Sequence, residues 1–516
     1  MTTGPGDGMS GPPGGDLTRN TLGGMKWTYG STLAKASLQI GYTAAMGRLL
    51  DDNDFGLIAM AQIFLNLDQH LANAGVAPAL VQKATVTRAD IRVAATSSAV
   101  LGVLLATVIA ASAPLAGAVL GTDRVITVVQ VMALGLFLQT LGLTSTGLLT
   151  RELRFRTLAK VEVASHGIGY LAVGIGMAIA GFGVWSLVGA AIGSQALKTA
   201  LAYGAARHPL TPLLRWKELK VLYGYGSRMS LLNFLEFIGL NLDVLVVGRF
   251  AGQGPLGQWN RASLLISLPF EYAIGGLSKV LFPTFSKIQG DRARVGRGYL
   301  GAVRLTAAFV GPAAAGMAVA GDQLVRVLLG SGWPQAAAIL PWMALTGTMR
   351  MRSHFGGIVC DATAELNRKL ALQVTYLVVL ATGLFLARGE GLGTIAAVVS
   401  FAEVIRHLMY MRLMTYVVGT TWPEHRSVYL PPAATAAAVS LVLWSIGAGL
   451  VPTGASVVLV LLVQVGAGAA ILLTSFRWGP LAPVRRELVG RLVGAGVLSS
   501  DRPAVQRLLH MIGGPR

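Results

Sequence analysis

Long apolar stretches recur from one end of the chain to the other, and they constrain its fold more than any other feature. A helix needs about twenty mostly apolar residues to cross a bilayer. Of the 516 residues, 53% are hydrophobic and 13% are charged, whereas about 25% are charged in an ordinary soluble domain. One aqueous core could not cover so much apolar surface, so the sequence predicts an integral membrane protein.

The stretches predict an all-α fold with about fourteen transmembrane helices. A tail rich in Gly and Pro (1–20) precedes them and a basic tail (477–516) follows. The predicted spans cover residues 22–46, 55–80, 92–113, 125–148, 158–180, 183–205, 227–248, 257–282, 299–320, 335–360, 369–387, 392–416, 429–447 and 455–475.

The net charge of +19 comes from Lys and Arg residues that lie between the apolar stretches. They concentrate in every second loop and in the two tails, as expected when positive residues stay on the cytoplasmic side. This alternation predicts an even number of spans with both termini in the cytoplasm. The same distribution of Lys and Arg indicates an interaction with an anionic lipid surface and not with nucleic acid. The single cysteine, Cys360, excludes an intrachain disulfide.

Part of the sequence repeats at a fixed offset. Gly47-Arg48 and Phe55-Gly56 have counterparts in Gly248-Arg249 and Leu256-Gly257, each 201 residues later. Same-way-up duplication of six spans explains this order, and transport folds often place their site between such repeats. The predicted organisation is two six-helix lobes and two further helices, at residues 21–215, 216–420 and 421–476.

Several motifs resemble bacterial polysaccharide-transport flippases, which act in oligosaccharide and lipopolysaccharide biosynthesis. They are Gly47-Arg48-Leu49-Leu50, Asp54-Phe55-Gly56-Leu57, the run from Asn73 to Gln82, the run from Leu149 to Arg156, and the run from Leu240 to Arg249. The resemblance covers roughly residues 22–420. It places the chain in the multidrug/oligosaccharidyl-lipid/polysaccharide (MOP) exporter superfamily.

The resemblance implies two six-helix lobes in a V around a central cleft, plus two carboxy-terminal helices. It also implies a non-enzymatic flippase in a bacterial plasma membrane, which moves undecaprenyl-diphosphate-linked oligosaccharide by alternating access without ATP. The product would serve exopolysaccharide, capsule or lipopolysaccharide synthesis. Expected partners are this substrate, membrane lipids, a coupling cation (H⁺ or Na⁺), and a polymerase or other assembly proteins. No cofactor, metal or nucleic acid is expected.

Ionisable and polar side chains inside the spans are candidate substrate contacts, because a charge within the bilayer is costly and is retained for function. Arginine suits a diphosphate through its planar fork of donors. Spans 1, 2, 7 and 8 line the cleft in the resembled fold, which favours the candidates on those spans. The candidates are Lys35, Asp68, His70, Glu236, Asn241, Asp243, Glu271, Arg350, Arg352, His354 and Arg406.

Other interpretations remain open from the sequence. Arg228, Arg261, Glu162 and Asp361 lie near span ends, where such side chains can reach water. Glu236 and Asp243 could serve in a structural pair between span 7 and another helix. Three rival functions are a drug or cation antiporter of the same superfamily, a membrane glycosyltransferase and a non-transporting scaffold. The glycosyltransferase would use Asp52-Asn53-Asp54, although a turn between spans explains this motif as well. No Gly-Lys dipeptide occurs, so the sequence has no P-loop.

Overall fold

The computed structural model of the chain describes residues 14–72, 86–152, 154–213 and 227–486. Helices make up 88% of the structure, and no strand occurs in these ranges. The all-α prediction is therefore confirmed. Most of the two predicted tails (1–13 and 487–516) and the run from Asn73 to Gln82 lie outside the described residues.

In the described ranges, fourteen long helices and one short helix follow one another. They are α1 (Gly14–Leu49), α2 (Asp52–Ala72), α3 (Arg88–Leu120), α4 (Arg124–Arg151), α5 (Phe155–Ile179, π-helical over Gly167–Ile175), α6 (Val184–Ala206), α7 (Ser227–Val246, extended by a π-helical turn over Val247–Ala251), α8 (Gln253–Lys287), α9 (Arg292–Val319), the short α10 (Gly321–Leu328), α11 (Pro334–Ala362), α12 (Leu366–Leu386), α13 (Leu392–Val417), α14 (Trp422–Leu450) and α15 (Val457–Arg477).

Eight helices in the described part are long and apolar enough to cross a membrane: α3, α4, α5, α9, α12, α13, α14 and α15. The prediction of a multi-span membrane protein is therefore confirmed. Each predicted span overlaps one of the long helices, but the count of fourteen spans stays a prediction. Most of the candidate polar residues lie on the remaining long helices, whose composition is less apolar because it includes those residues.

Local sequence explains where two of the helices begin. Thr87 precedes α3, and its side chain accepts a hydrogen bond from the backbone N–H of Asp90, while the Asp90 carboxylate accepts one from Thr87. Thr421 and Glu424 form the same reciprocal cap at the start of α14. These capping boxes satisfy backbone donors that a helix start leaves unpaired.

Contacts divide the chain into two compact units. Unit 1 comprises Met1–Leu49 and Ala61–Ser227, and unit 2 comprises Leu50–Met60 and Arg228–Arg516. The first half of α2 thus belongs to unit 2 and the second half to unit 1. The exact boundaries of the two predicted lobes remain a prediction.

Small residues set the helix contacts within unit 1, where α3 packs on α4, α4 and α5 pack on α6, and α1 packs on α5. A Cβ atom on Gly142 of α4 would crowd the hydroxyl of Thr199 on α6, and one on Gly169 of α5 would crowd Ser194 on α6. Such close approach of backbones is typical of helix packing in membranes.

In unit 2, the start of α2 crosses the start of α8 through the repeated glycine. A Cβ atom on Gly56 would overlap the backbone carbonyl of Gln253, and one on Gly257 would overlap that of Asp52. Gly56 corresponds to Gly257, and Asp52 to Gln253, by the same offset of 201 residues. The two copies of the motif therefore meet in a reciprocal contact that only glycine allows.

The rest of unit 2 positions the polar residues described below. Helix α11 is central: it packs on α8, α9 and α13, while α12 packs on α13. Helix α14 packs on α9, and α15 packs on α14. Large side chains such as Trp259, Tyr299, Phe355 and Tyr376 are fully buried between these helices.

Candidate functional site

Two arginines and two carboxylates meet on α7, α11 and α13 of unit 2, and we call them the Arg350 cluster (Asp243, Arg350, Glu403 and Arg406). The fully buried Glu403 accepts hydrogen bonds at Oε1 from Arg350 Nε at 2.7 Å and from the Tyr376 hydroxyl at 2.9 Å. Its Oε2 lies 3.5 Å from Arg406 Nε. Arg350 Nη2 lies 3.9 Å from Asp243 Oδ2. The cluster is therefore electrically neutral as a set.

A second group, the Lys369 cluster (Glu236, Asp361 and Lys369), lies on α7, α11 and α12. Lys369 Nζ is 2.9 Å from Glu236 Oε1, and 2.9 Å and 3.0 Å from the two oxygens of Asp361. The Lys369 side chain is 7% exposed, whereas that of Glu236 is 39% exposed. One ammonium group faces two carboxylates, so this cluster carries a net negative charge and presents it at Glu236.

The spacing of residues along the helices explains why the clusters form two layers. Glu236 and Asp243 are seven residues apart on α7, as are Lys369 and Tyr376 on α12. Seven residues make about two helical turns and place side chains on one face about 10 Å apart. Each of these two helices therefore places one side chain at the Lys369 cluster and one at the Arg350 cluster, where Tyr376 donates a hydrogen bond to Glu403.

The two clusters differ in what they could bind. The Arg350 side chain is 27% exposed, and a guanidinium can donate several hydrogen bonds to the oxygens of an anionic ligand. Glu236 is the exposed acceptor and suits sugar hydroxyls or a cation. Glu403 has no exposed surface, so it can act only through the arginines that it holds.

Unit 1 contributes a separate ion pair. Lys35 Nζ on α1 lies 2.6 Å from Glu162 Oε2 on α5, and the two side chains are 28% and 34% exposed. One turn beyond Glu162, the His166 ring stacks on Tyr170 at 4.3 Å, where α5 becomes π-helical. A π-helical segment within an α-helix is frequent at functional sites. The Lys35 charge is thus accessible, but it already has a partner.

The remaining candidates are distributed as follows. His354 is exposed one turn beyond Arg350, and Asn241 donates a hydrogen bond to the Phe237 carbonyl of its own helix at 2.8 Å. Arg352 points away from the Arg350 cluster and packs over the Tyr429 ring of α14. The side chains of Asp68, His70 and Glu271 lie outside the described residues.

Five residues that make these contacts were not among the sequence candidates: Glu162, Asp361, Lys369, Tyr376 and Glu403. Lys369 begins a predicted span directly after a loop, where the sequence predicts positive residues on the cytoplasmic side. Glu162 and Asp361 lie near span ends, where such side chains can reach water. The spacing of Lys369 and Tyr376, which matches that of the two α7 carboxylates, is the signal that could have identified them.

The Asp52-Asn53-Asp54 motif serves the start of α2. The backbone N–H of Asp54 donates to Asp51 Oδ1 at 2.9 Å, and the Gln258 side chain donates to Asp52 Oδ2 at 3.2 Å. Acidic residues are favourable at a helix start. These contacts support the interpretation as a turn. Within the described ranges, no group of three or more His, Cys, Asp or Glu residues could hold a metal ion.

Known proteins resemble the chain in sequence and in fold. The teichuronic acid biosynthesis protein TuaB of Bacillus subtilis is 24% identical over 435 residues, which are 83% of this chain and 89% of TuaB. The succinoglycan biosynthesis transport protein ExoT of Rhizobium meliloti is 23% identical over 64% of this chain and 66% of ExoT. The lipid II flippase MurJ, in an inward closed conformation, superposes with a TM-score of 0.66 at 12% identity, over 91% of this chain and 100% of MurJ.

The MurJ superposition shows that the chain has the fold of that protein, as the resemblance implied for the fold. A family described as "Polysaccharide biosynthesis protein" matches residues 45–338, which is more than half of the chain. The chain therefore belongs to this polysaccharide biosynthesis family.

Proposed function

We propose that the protein is a flippase that moves undecaprenyl-diphosphate-linked oligosaccharide across the plasma membrane of a bacterium. The observation that carries the proposal is the combination of its family and its fold. The chain belongs to a polysaccharide biosynthesis family, and it has the fold of a lipid II flippase over 91% of its length. The relative ExoT, a succinoglycan biosynthesis transport protein, supports the same assignment.

The clusters suit this task because flipping makes and breaks no covalent bond. A sugar head group needs hydrogen-bonding partners that replace water, and its diphosphate needs cations. Glu236 can accept hydrogen bonds from sugar hydroxyls, while Arg350 in unit 2 and Lys35 in unit 1 are the partly exposed cations. Because both cations are already paired, a diphosphate would compete with their carboxylates and bind reversibly, as transport requires.

The Lys369 cluster is the proposed place for a coupling cation, H⁺ or Na⁺. It holds two carboxylates for one ammonium group, and Glu236 is its most exposed member. The Arg350 cluster is neutral and its central carboxylate has no exposed surface, so it is a less favourable place for a cation to bind. Both termini would lie in the cytoplasm, and a polymerase on the opposite side would consume the flipped substrate.

The test is a deletion strain complemented with plasmid copies of the gene. In the deletion strain, we expect carrier-linked oligosaccharide to accumulate on the cytoplasmic face and surface polymer to disappear. An impermeant sugar-oxidising reagent reports the sidedness of this pool. The wild-type gene should restore export, while Glu236→Gln should restore little at normal protein level. Glu390→Gln, which removes an exposed carboxylate at the α12–α13 connection, is the matched control and should restore export fully.

A drug or cation antiporter of the same superfamily is the second candidate, since the fold is shared across that superfamily. It predicts a normal glycan pool with normal sidedness in the deletion strain, together with increased sensitivity to cationic drugs. That result would replace the flippase proposal. A glycosyltransferase predicts instead that Asp52→Ala with Asp54→Ala abolishes transfer from a labelled sugar nucleotide.

A further inference from the structure

A second arginine in unit 2 is enclosed by aromatic rings and not by carboxylates. The Arg352 guanidinium lies 5.0 Å from the centre of the Tyr429 ring on α14. The His407 ring of α13 meets the same tyrosine edge-on at 5.4 Å, and the His425 ring lies parallel to it at 6.3 Å. We call these four residues the Arg352 site. They come from three helices, α11, α13 and α14.

Polar atoms of the Arg352 site are buried without a hydrogen-bond partner in the described part of the protein. They are both ring nitrogens of His407, Nε of Arg352, Nδ1 of His425 and the hydroxyl of Tyr429. His407 is 5% exposed and His425 is 1% exposed. His425 Nε2 does have a partner, the Thr420 hydroxyl at 3.1 Å. Buried polar atoms are nearly always paired, so several orphans together indicate an occupant.

Among the described residues, no ion pair balances the charge of Arg352, and the carboxylate that acts on His425, Glu424, is held by Thr421 at the start of α14. Tyr429 acts electrostatically on Arg352, and Arg352, His425 and Arg406 act on His407. No carboxylate is among them, and Arg406 is already matched by Glu403 at 3.5 Å. Arg352 is half-buried, but its Nε atom is fully buried, and a guanidinium that is partly removed from water is unfavourable without a counter-charge.

We propose that the Arg352 site binds a small inorganic anion of the size of chloride, held by Arg352 Nε and a ring N–H of His407. The orphan atoms include donors for such an anion, because the guanidinium only donates, each neutral imidazole carries one N–H and the Tyr429 hydroxyl can donate as well. An acceptor that carries negative charge satisfies the donors and the unmatched charge at once. A water molecule would satisfy the donors alone.

The burial of the atoms that would hold the anion argues for a single atom over a larger one, since Arg352 Nε and both His407 nitrogens have almost no exposed surface. A Cβ atom on Gly311 of α9 would lie 3.7 Å from Arg352 Nη2, and 3.9 Å from Pro432 on α14. The flat face of the guanidinium is covered by Tyr429. Nε is the guanidinium atom that is buried without a hydrogen-bond partner among the described residues, so it is the proposed donor. The bound anion would hold α11, α13 and α14 together, so the site is separate from the proposed substrate contacts.

The test measures thermal unfolding of the purified full-length protein in detergent. Sodium chloride or sodium bromide is titrated against sodium gluconate, so that the sodium concentration and ionic strength stay constant. We expect a saturable rise in the unfolding midpoint with either halide, because a ligand that binds only the folded state stabilises it. Gluconate, which is too large for the site, should give no rise.

Variants assign the effect to the site. Arg352→Gln should abolish the halide-dependent shift, and His407→Phe, which keeps the ring shape, should weaken the apparent affinity at least tenfold. Arg412→Gln removes one exposed positive charge from α13 and should leave the shift unchanged. A shift that persists in Arg352→Gln would contradict the assignment to this site.

Bromide also allows a direct measurement on the unchanged protein, which covers the case in which Arg352→Gln does not fold. An anomalous scattering peak beside Arg352 Nε in crystals grown in bromide is the expected result. Ordered water at that position without an anomalous peak, or equal midpoints in halide and gluconate, would overturn the proposal. A shift produced by phosphate and not by halide would overturn the size of the ligand.

Discussion

Replacing Glu403 with glutamine should destabilise unit 2 more than breaking an exposed ion pair does. The substitution keeps the side-chain shape but removes the negative charge that faces Arg350 at 2.7 Å and Arg406 at 3.5 Å. Asp243, 3.9 Å from Arg350, then remains alone against two guanidinium groups. Removing one partner of a buried ion pair costs about 3–5 kcal/mol, because the other charge stays buried without compensation.

The matched control is Glu365→Gln, which breaks the pair between Glu365 and Arg368 at 2.8 Å. Those side chains are 30% and 41% exposed, so solvent screens them and the loss should be about 1 kcal/mol or less. Reversible unfolding in mixed micelles, followed by circular dichroism, gives both free energies.

A second variant tests the cause of the loss. Replacing Arg350 with methionine in the Glu403→Gln background removes the uncompensated charge and should recover part of the stability, as a double-mutant cycle measures. Equal losses in Glu403→Gln and Glu365→Gln would refute the argument that burial makes this carboxylate important.

Three further predictions follow from other contacts. Gly257→Ala should lower the free energy of unfolding by about 1–3 kcal/mol, because its methyl group would overlap the carbonyl of Asp52; an unchanged unfolding midpoint would contradict the reciprocal contact. Lys35→Gln should change the free energy of unfolding by less than about 1 kcal/mol, since its pair with Glu162 is partly exposed. It should nevertheless lower glycan export by roughly tenfold or more, because a hydrogen bond to a charged group contributes about 1.5–3 kcal/mol, and normal export would exclude Lys35 from the substrate path. Burial lowers the pKa of His208, which lies in the connection after α6, so the unfolded chain takes up the proton first as the pH falls through about 6.5. The unfolding midpoint should therefore drop between pH 7 and pH 5, and His208→Gln should flatten this dependence.

Features that follow directly from composition and period could be predicted from the sequence. The apolar stretches located the long helices, because a helix that meets lipid must be apolar over its whole length. The repeated glycine at an offset of 201 residues predicted the duplication, and the structure adds that Gly56 and Gly257 pack against each other's copy of the motif. That reciprocal contact depends on how two helices cross, which a linear pattern does not contain.

Pairings between helices were harder to predict. Arg350 and Arg352 were grouped because they are neighbours in sequence, although two residues are about 200° apart around a helix. In the structure, one meets Glu403 on α13 and the other meets Tyr429 on α14. Periodicity places a side chain on a face, but only the packing of helices decides which residue that face meets.

The two clusters of unit 2 will give different kinds of evidence when their members are mutated. Glu403 has no exposed surface, so a loss of export in its variants follows from weaker packing of the arginines even if no substrate ever touches it. Glu236 is 39% exposed, and an exposed carboxylate contributes little to stability. A loss of export at unchanged stability can therefore be assigned to substrate or cation binding at Glu236, whereas for Glu403 that assignment requires the unfolding measurement first.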